Sequence, residues 1–290
     1  MASRVAHQVH RFHLALLHPR LLHSLVLMDT VISNKTAGID WVRASVNRRD
    51  LWPSRSAAAT KMRSNPAFQK WDQRVLDKYI EYGLRDLPTE AYPELPKDSN
   101  PNDPPVTLQT TKAQEQYNYV RAAYEDDRLL LQAGDLKRDS WPEDTDANRG
   151  PFNRFENKLF YRRLPELRPS VLYVVGEQSE VSKPDARRER IERTGSGAGG
   201  SGGVKAGRVM EAVLDCGHLV PWERTTAAAE ASASFVAKEL DRWNAEESNR
   251  RERWNRLSRK EKVDINDAWR EHAGARKVDG KGKIAPPEKL

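Results

Sequence analysis

Three short apolar runs stand out from an otherwise polar chain: Leu25-Val26-Leu27-Met28, Val171 to Val175, and Val209 to Leu214, the last broken only by Glu211. Runs of this length without alternation predict parallel strands covered on both faces rather than half-exposed ones. Each ends abruptly in a polar or glycine turn, at Asp29-Thr30, Gly176-Glu177 and Asp215-Cys216-Gly217-His218. In open parallel sheets the residues just past the carboxyl ends of strands line the ligand crevice. Helical spacing flanks the strands. Phe12 to His18 predicts a helix ahead of the first, Asp185 to Arg193 a charged helix between the second and third, and Thr225 to Trp243 an amphipathic helix that closes the core.

About 140 residues separate the first two strands, far beyond an ordinary connection of roughly 2 to 6 residues, so the insertion is expected to be structured. Asp50 to Leu87 carries helical patches with Trp52, Phe68, Trp71 and Leu76. Pro93 to Pro105 reads as loop, and Thr110 to Leu131 resumes helical spacing before Trp141 to Phe152 breaks it. A helical lid over the crevice is the economical reading. The expected organisation is a helix and first core strand over 1–39, a lid over 40–168, the remaining core over 169–245, and a charged helical tail over 246–290 whose end, from Gly274, is disordered.

The glycine-rich segment Gly195 to Gly203 formally matches GxGxxG at Gly195, Gly197 and Gly200. A dinucleotide fingerprint follows a strand and opens a helix, whereas here a charged helix precedes and a strand follows. A flexible loop is expected, and no cofactor.

Composition narrows the functional classes. With 31% charged residues and a mean hydropathy of −0.81, part of the chain is expected to be solvated appendage. The net charge of +7 arises from 49 basic against 42 acidic residues, and so mixed a surface argues for solubility more than for nucleic-acid binding. The tail cluster Arg250-Arg251, Arg253, Arg256, Arg259-Lys260 is interleaved with Glu247, Glu252 and Glu261, which argues the same way. The single cysteine, Cys216, permits neither an internal disulfide nor a cysteine metal cluster. No apolar stretch reaches the roughly 18 to 20 residues of a membrane span. The first 28 residues lack Asp and Glu and in that respect resemble a mitochondrial transit peptide, but helix and strand explain them as well.

The strongest chemical signal is Asp215 to Glu223, a strand-end turn bearing His218 ahead of an amphipathic helix, where an imidazole can serve as general base. The turn Gly176 to Pro184 precedes it, and an acid that orients a histidine precedes that histidine in the serine-acid-histidine order. Glu180 is the expected acid, with Glu177 and Asp185 as competitors.

Leu14 to Leu21 followed by Leu25 to Asp29 resembles the helix and strand that follow the nucleophile elbow in α/β-hydrolases. Together with Trp52-Pro53-Ser54-Arg55, the glycine-rich loop, Gly217-His218-Leu219-Val220 and the charged tail, it resembles a fungal branch that includes peroxisomal lipase-like and toxin-biosynthesis hydrolases. The resemblance implies the C-terminal half of an α/β-hydrolase: an α/β fold with a partial sheet, a large helical lid insertion and a charged helical tail. It implies an ester hydrolase acting on a small lipophilic ester or acyl ligand. The glycine-x-serine-x-glycine elbow is missing ahead of Leu14. Ser3 lacks flanking glycines, Ser24 leads into a strand, and Cys216 lies two residues from His218, so the chain alone is expected to be inactive. A non-catalytic lipophilic-ligand binding protein is the alternative. The final Glu288-Lys289-Leu290 resembles the Ser-Lys-Leu address read by the peroxisomal import receptor, giving a peroxisomal or cytoplasmic location as the expectation.

Overall fold

A computed structural model describes residues 11–18, 20–33, 39–122, 124, 152–153 and 156–274. Ser3 and the C-terminal tripeptide lie outside them, as do the segments at 129–131, at 141–151 and beyond Gly274 for which a helical turn, a break and a disordered end are expected. The chain divides into two compact units, Met1–Val236 and Ala237–Leu290.

The first unit is built on a parallel sheet of β1 (Ser24–Met28), β7 (Ser170–Gly176) and β8 (Val209–Leu214), in the order β1-β7-β8. All three strands fall where the apolar runs place them, but only β7 is covered on both faces; burial alternates along β1 and along β8, which lie at the edges of the sheet. Every residue of β7 is buried, because its two faces enter separate cores, as the twofold period of a strand requires. Val171, Tyr173 and Val175 pack with Leu25 and Leu27, with Phe12 and Ala15 of helix α1 (11–17), and with Phe160 of α7 (Glu156–Arg163). The rings of Phe12 and Phe160 meet edge to face at 5.1 Å. On the opposite face Leu172 and Val174 pack with Cys216, Val220, Ala228 and Phe235.

The insertion is not purely helical. Besides α2 (Ile39–Asn47), α3 (Arg55–Arg63), α4 (Pro66–Gln69), α5 (Gln73–Tyr82) and α6 (Lys112–Tyr119), it holds a small antiparallel sheet of β2 (Leu51–Trp52), β3 (Leu84–Asp86) and β4 (Val106–Leu108), ordered β2-β4-β3. Strands of two or three residues are too short for alternation to register in sequence. They exist because Trp52, Val106, Leu108 and Leu84 share a core with Met62, Trp71 and Ile80. A further short pair, β5 (Arg121–Ala122) with β6 (Phe152–Asn153), precedes α7 in the insertion.

The glycine-rich segment is not a free loop. It follows α8 (Pro184–Arg193), which matches the expected charged helix, and docks on residues 164–167: Gly195 N–H donates to Leu164 O (2.8 Å), Gly197 N–H to Pro165 O (2.9 Å) and Ser201 N–H to Leu167 O (3.0 Å). A Cβ at Gly200 would lie 2.3 Å from Pro165 O, so the glycine there serves close backbone approach rather than flexibility.

After the short α9 (Val220–Glu223), α10 (Thr225–Arg256) runs unbroken for 32 residues and joins what reads in sequence as two helices. No glycine or proline interrupts it, and Glu247 pairs with Arg250 at 2.6 Å and with Arg251 at 3.7 Å across the change of pattern. The second unit holds the end of this helix, where Trp243 and Trp254 are exposed, and α11 (Asp267–His272), capped by the Asn266 side chain. Among the described residues no helix is long and apolar enough to cross a membrane.

Candidate active site

The site forms at the carboxyl ends of the parallel strands, where the turns after β1, β7 and β8 meet. His218 sits in the turn after β8, with its side chain 18% exposed, and its Nδ1 lies 2.7 Å from Oδ2 of Asp29, the first residue past β1. Asp29 is fully buried. A carboxylate offers only acceptor sites, so Nδ1 carries the proton and donates, which leaves Nε2 as the basic nitrogen. The same Oδ2 accepts the Ser179 hydroxyl. Asp29 N–H donates to Val174 O at 2.8 Å, and the residue adopts a left-handed φ of 44°, a conformation aspartate tolerates better than most side chains.

β1 and β8 are not neighbours. β7 lies between them, so at the usual strand spacing the residues at their ends start about 10 Å apart. The His218 turn closes that gap by passing over the end of β7 at Gly176. A Cβ there would lie 2.0 Å from Gly217 O and 2.6 Å from Cys216 O. Gln178 N–H donates to Cys216 O at 3.0 Å, and Gln178 Nε2 to Asp215 Oδ1 at 2.7 Å. Glu223 of α9 reaches back and accepts Gly217 N–H at 2.8 Å, which explains the carboxylate at the end of the His218 motif.

The structure does not bring Glu180 to His218. Its side chain is 78% exposed and lies 3.6 Å from Lys183 Nζ. Glu177 is exposed, and Asp185, 95% exposed, pairs with Arg188 at 2.6 Å. The expected turn does reach the site, but through the hydroxyl of Ser179, one residue earlier. Asp29 is the residue that sequence reasoning missed. The signal was present, since Asp29 ends an apolar strand and precedes His218, satisfying the same chain order as Glu180.

Neither candidate nucleophile within the described residues suits the role. Ser24 begins β1, five residues before Asp29, and at roughly 3.3 Å per residue it lies about 16 Å away at the far end of the sheet. Cys216 is 3% exposed, and burial, aided by Glu223, pushes its thiol up to about 11. At pH 8 it is therefore a thiol rather than the reactive thiolate. Iodoacetamide at pH 8 is expected to leave the folded chain unmodified and to add one equivalent after denaturation in guanidinium, read by intact mass. Because the folded thiol titrates above an unfolded one, its contribution to stability is complete below about pH 8.5 and is lost as pH rises toward 11. Among the described residues no group of three or more His, Cys, Asp or Glu is arranged to hold a metal ion.

The insertion is anchored to the His218 turn. Trp71 stacks on Trp222 at 5.4 Å with 16° between the planes, and Asp72 N–H donates to Trp222 O at 2.6 Å. Leu219 and Trp222 pack on the insertion's own core. The segment that carries the histidine therefore also anchors the insertion.

No family model matches the chain. The Type I acyl-CoA thioesterase mpaH' of Penicillium brevicompactum is 34% identical over an alignment of 258 positions that covers 81% of this chain and 57% of that protein. The abhydrolase domain-containing protein AFT2-1 of Alternaria alternata is 26% identical over 258 residues, covering 87% of this chain and 88% of that protein. Among solved structures, the peroxisomal alpha-beta-hydrolase Lpx1 of Saccharomyces cerevisiae aligns over 92% of this chain and 57% of its own, with a TM-score of 0.50 and 12% identity, a likeness of fold. The chain thus spans little more than half the length of the Penicillium relatives it matches. Its relatives include abhydrolase domain-containing proteins, and its fold is that of the α/β-hydrolases.

Proposed function

We propose that this chain carries the general base, His218, and its orienting acid, Asp29, of a hydrolase site for acyl esters or acyl thioesters, and that the serine nucleophile comes from residues outside this sequence. The observation that carries the reading is the 2.7 Å contact between His218 Nδ1 and a fully buried carboxylate at the carboxyl edge of a parallel sheet. In that arrangement Nε2 accepts the proton of an attacking hydroxyl, and the buried carboxylate stabilises the imidazolium that forms. The histidine then returns the proton to the leaving alcohol or thiol. The name of the Penicillium relative supports a thioester as substrate class.

Fluorophosphonate labelling tests the division of labour. The 290-residue chain is expected to stay unlabelled. A stoichiometric adduct on any serine, lost on His218→Ala, would show that the chain supplies its own nucleophile and overturn the proposal in this form.

A further inference from the structure

Arg190 lies in the middle of α8 on the most charged helix of the core, yet it is 1% exposed. Burying a guanidinium costs several kcal/mol unless its contacts repay it, and an apolar side chain of similar volume is commonly as good for stability. Its contacts are specific. Nη1 donates to Thr30 O at 3.0 Å and Nη2 to Ser182 Oγ at 3.4 Å, while the guanidinium lies 5.0 Å from the Tyr173 ring centroid. The backbone beneath it is held as well, since Thr194 Oγ1 donates to Arg190 O at 2.7 Å and lies 2.8 Å from the Tyr173 hydroxyl.

The two oxygens that Arg190 holds belong to the two segments that close on Asp29. Thr30 follows Asp29 directly, so holding its carbonyl holds the Thr30–Val31 peptide, one residue beyond the left-handed φ of 44° at Asp29. Ser182 ends the turn whose Ser179 hydroxyl donates to Asp29 Oδ2. A planar fork with donors in fixed directions suits such a bridge, whereas a lysine ammonium is a compact point charge whose donors are not spread in that fixed geometry.

We propose that Arg190 is a positioning residue for the Asp29–His218 pair: it clamps the turn after β1 to the turn after β7 and so holds the Asp29 carboxylate against His218 Nδ1. The inference rests on reading that pair as acid and base. Removing the fork should loosen the pair without dissolving the sheet, because the strand ladder does not depend on it and a methionine at 190 keeps an apolar side chain against Tyr173.

The test is proton NMR of the 15N-histidine-labelled chain, following the Nδ1–H resonance of His218, assigned by its absence in His218→Ala. The wild type is expected to show a downfield, slowly exchanging Nδ1–H that Asp29→Asn removes. In Arg190→Met, folded by circular dichroism and cooperative melting, this proton should exchange with water at least tenfold faster or broaden away. Arg190→Lys should fall between. Arg187→Met, on the same helix but 3.6 Å from Glu211, is expected to leave the resonance in place. An unchanged exchange rate in folded Arg190→Met would overturn the inference; if that variant does not fold, an unchanged rate in Arg190→Lys would do so. If Asp29→Asn itself leaves the resonance unmoved, it is the reading of the pair that fails.

Discussion

Gly176→Ala is expected to destabilise the chain by about 3 kcal/mol, lowering its melting temperature by roughly 6 to 12 °C, and to separate His218 from Asp29. The added Cβ would meet Gly217 O at 2.0 Å and Cys216 O at 2.6 Å. Both are backbone atoms of a turn held by Gln178 and Glu223, and neither can swing aside as the tip of a flexible side chain would. The turn must lift off the end of β7, and His218 must lift with it. Thermal denaturation reads the first effect, and loss of the His218 Nδ1–H resonance reads the second. A melting temperature within 2 °C of wild type, with that resonance retained, would mean that the turn does not depend on the missing side chain.

If Asp29 and His218 act as the proposed acid and base, Asp29→Asn is expected to lower turnover of the completed site by about 10⁴-fold, whereas Glu180→Gln should stay within about twofold of the parent. The measurement is acyl-thioester hydrolysis by this chain supplied with the part of the Penicillium thioesterase that it does not cover. An amide at position 29 retains the shape of the carboxylate. Its NH₂ can face Nδ1, favouring the tautomer with the proton on Nε2, which can no longer accept from a hydroxyl. Glu180 lies on the surface beside Lys183, where losing a charge changes little. The reverse result, with Glu180→Gln the damaging change, would require the turn after β7 to rearrange when the site is complete and would restore Glu180 as the acid.

The sequence alone determined the strands and where chemistry should sit relative to them. An apolar run suits a strand covered on both faces, and β7, buried along its whole length, is that outcome, whereas β1 and β8 sit at the sheet edges and are buried on alternate residues. Turns at the ends of such strands are the places where side chains escape the sheet, so His218 was legible from its position after Val209 to Leu214. Which carboxylate meets it was not legible. Asp29, Glu177, Glu180 and Asp185 all precede His218 near strand ends, and chain order does not separate them. The choice belongs to the tertiary structure: strand order puts β1 and β8 on either side of β7, Gly176 leaves room for the His218 turn to cross, and only Asp29 is turned inward, by its left-handed backbone. The docked glycine segment and the short strands of the insertion follow the same rule. Local pattern decides how a segment can fold when many residues repeat a period. Where two or three residues, or a missing Cβ, matter only because of what lies across from them, packing between distant segments decides.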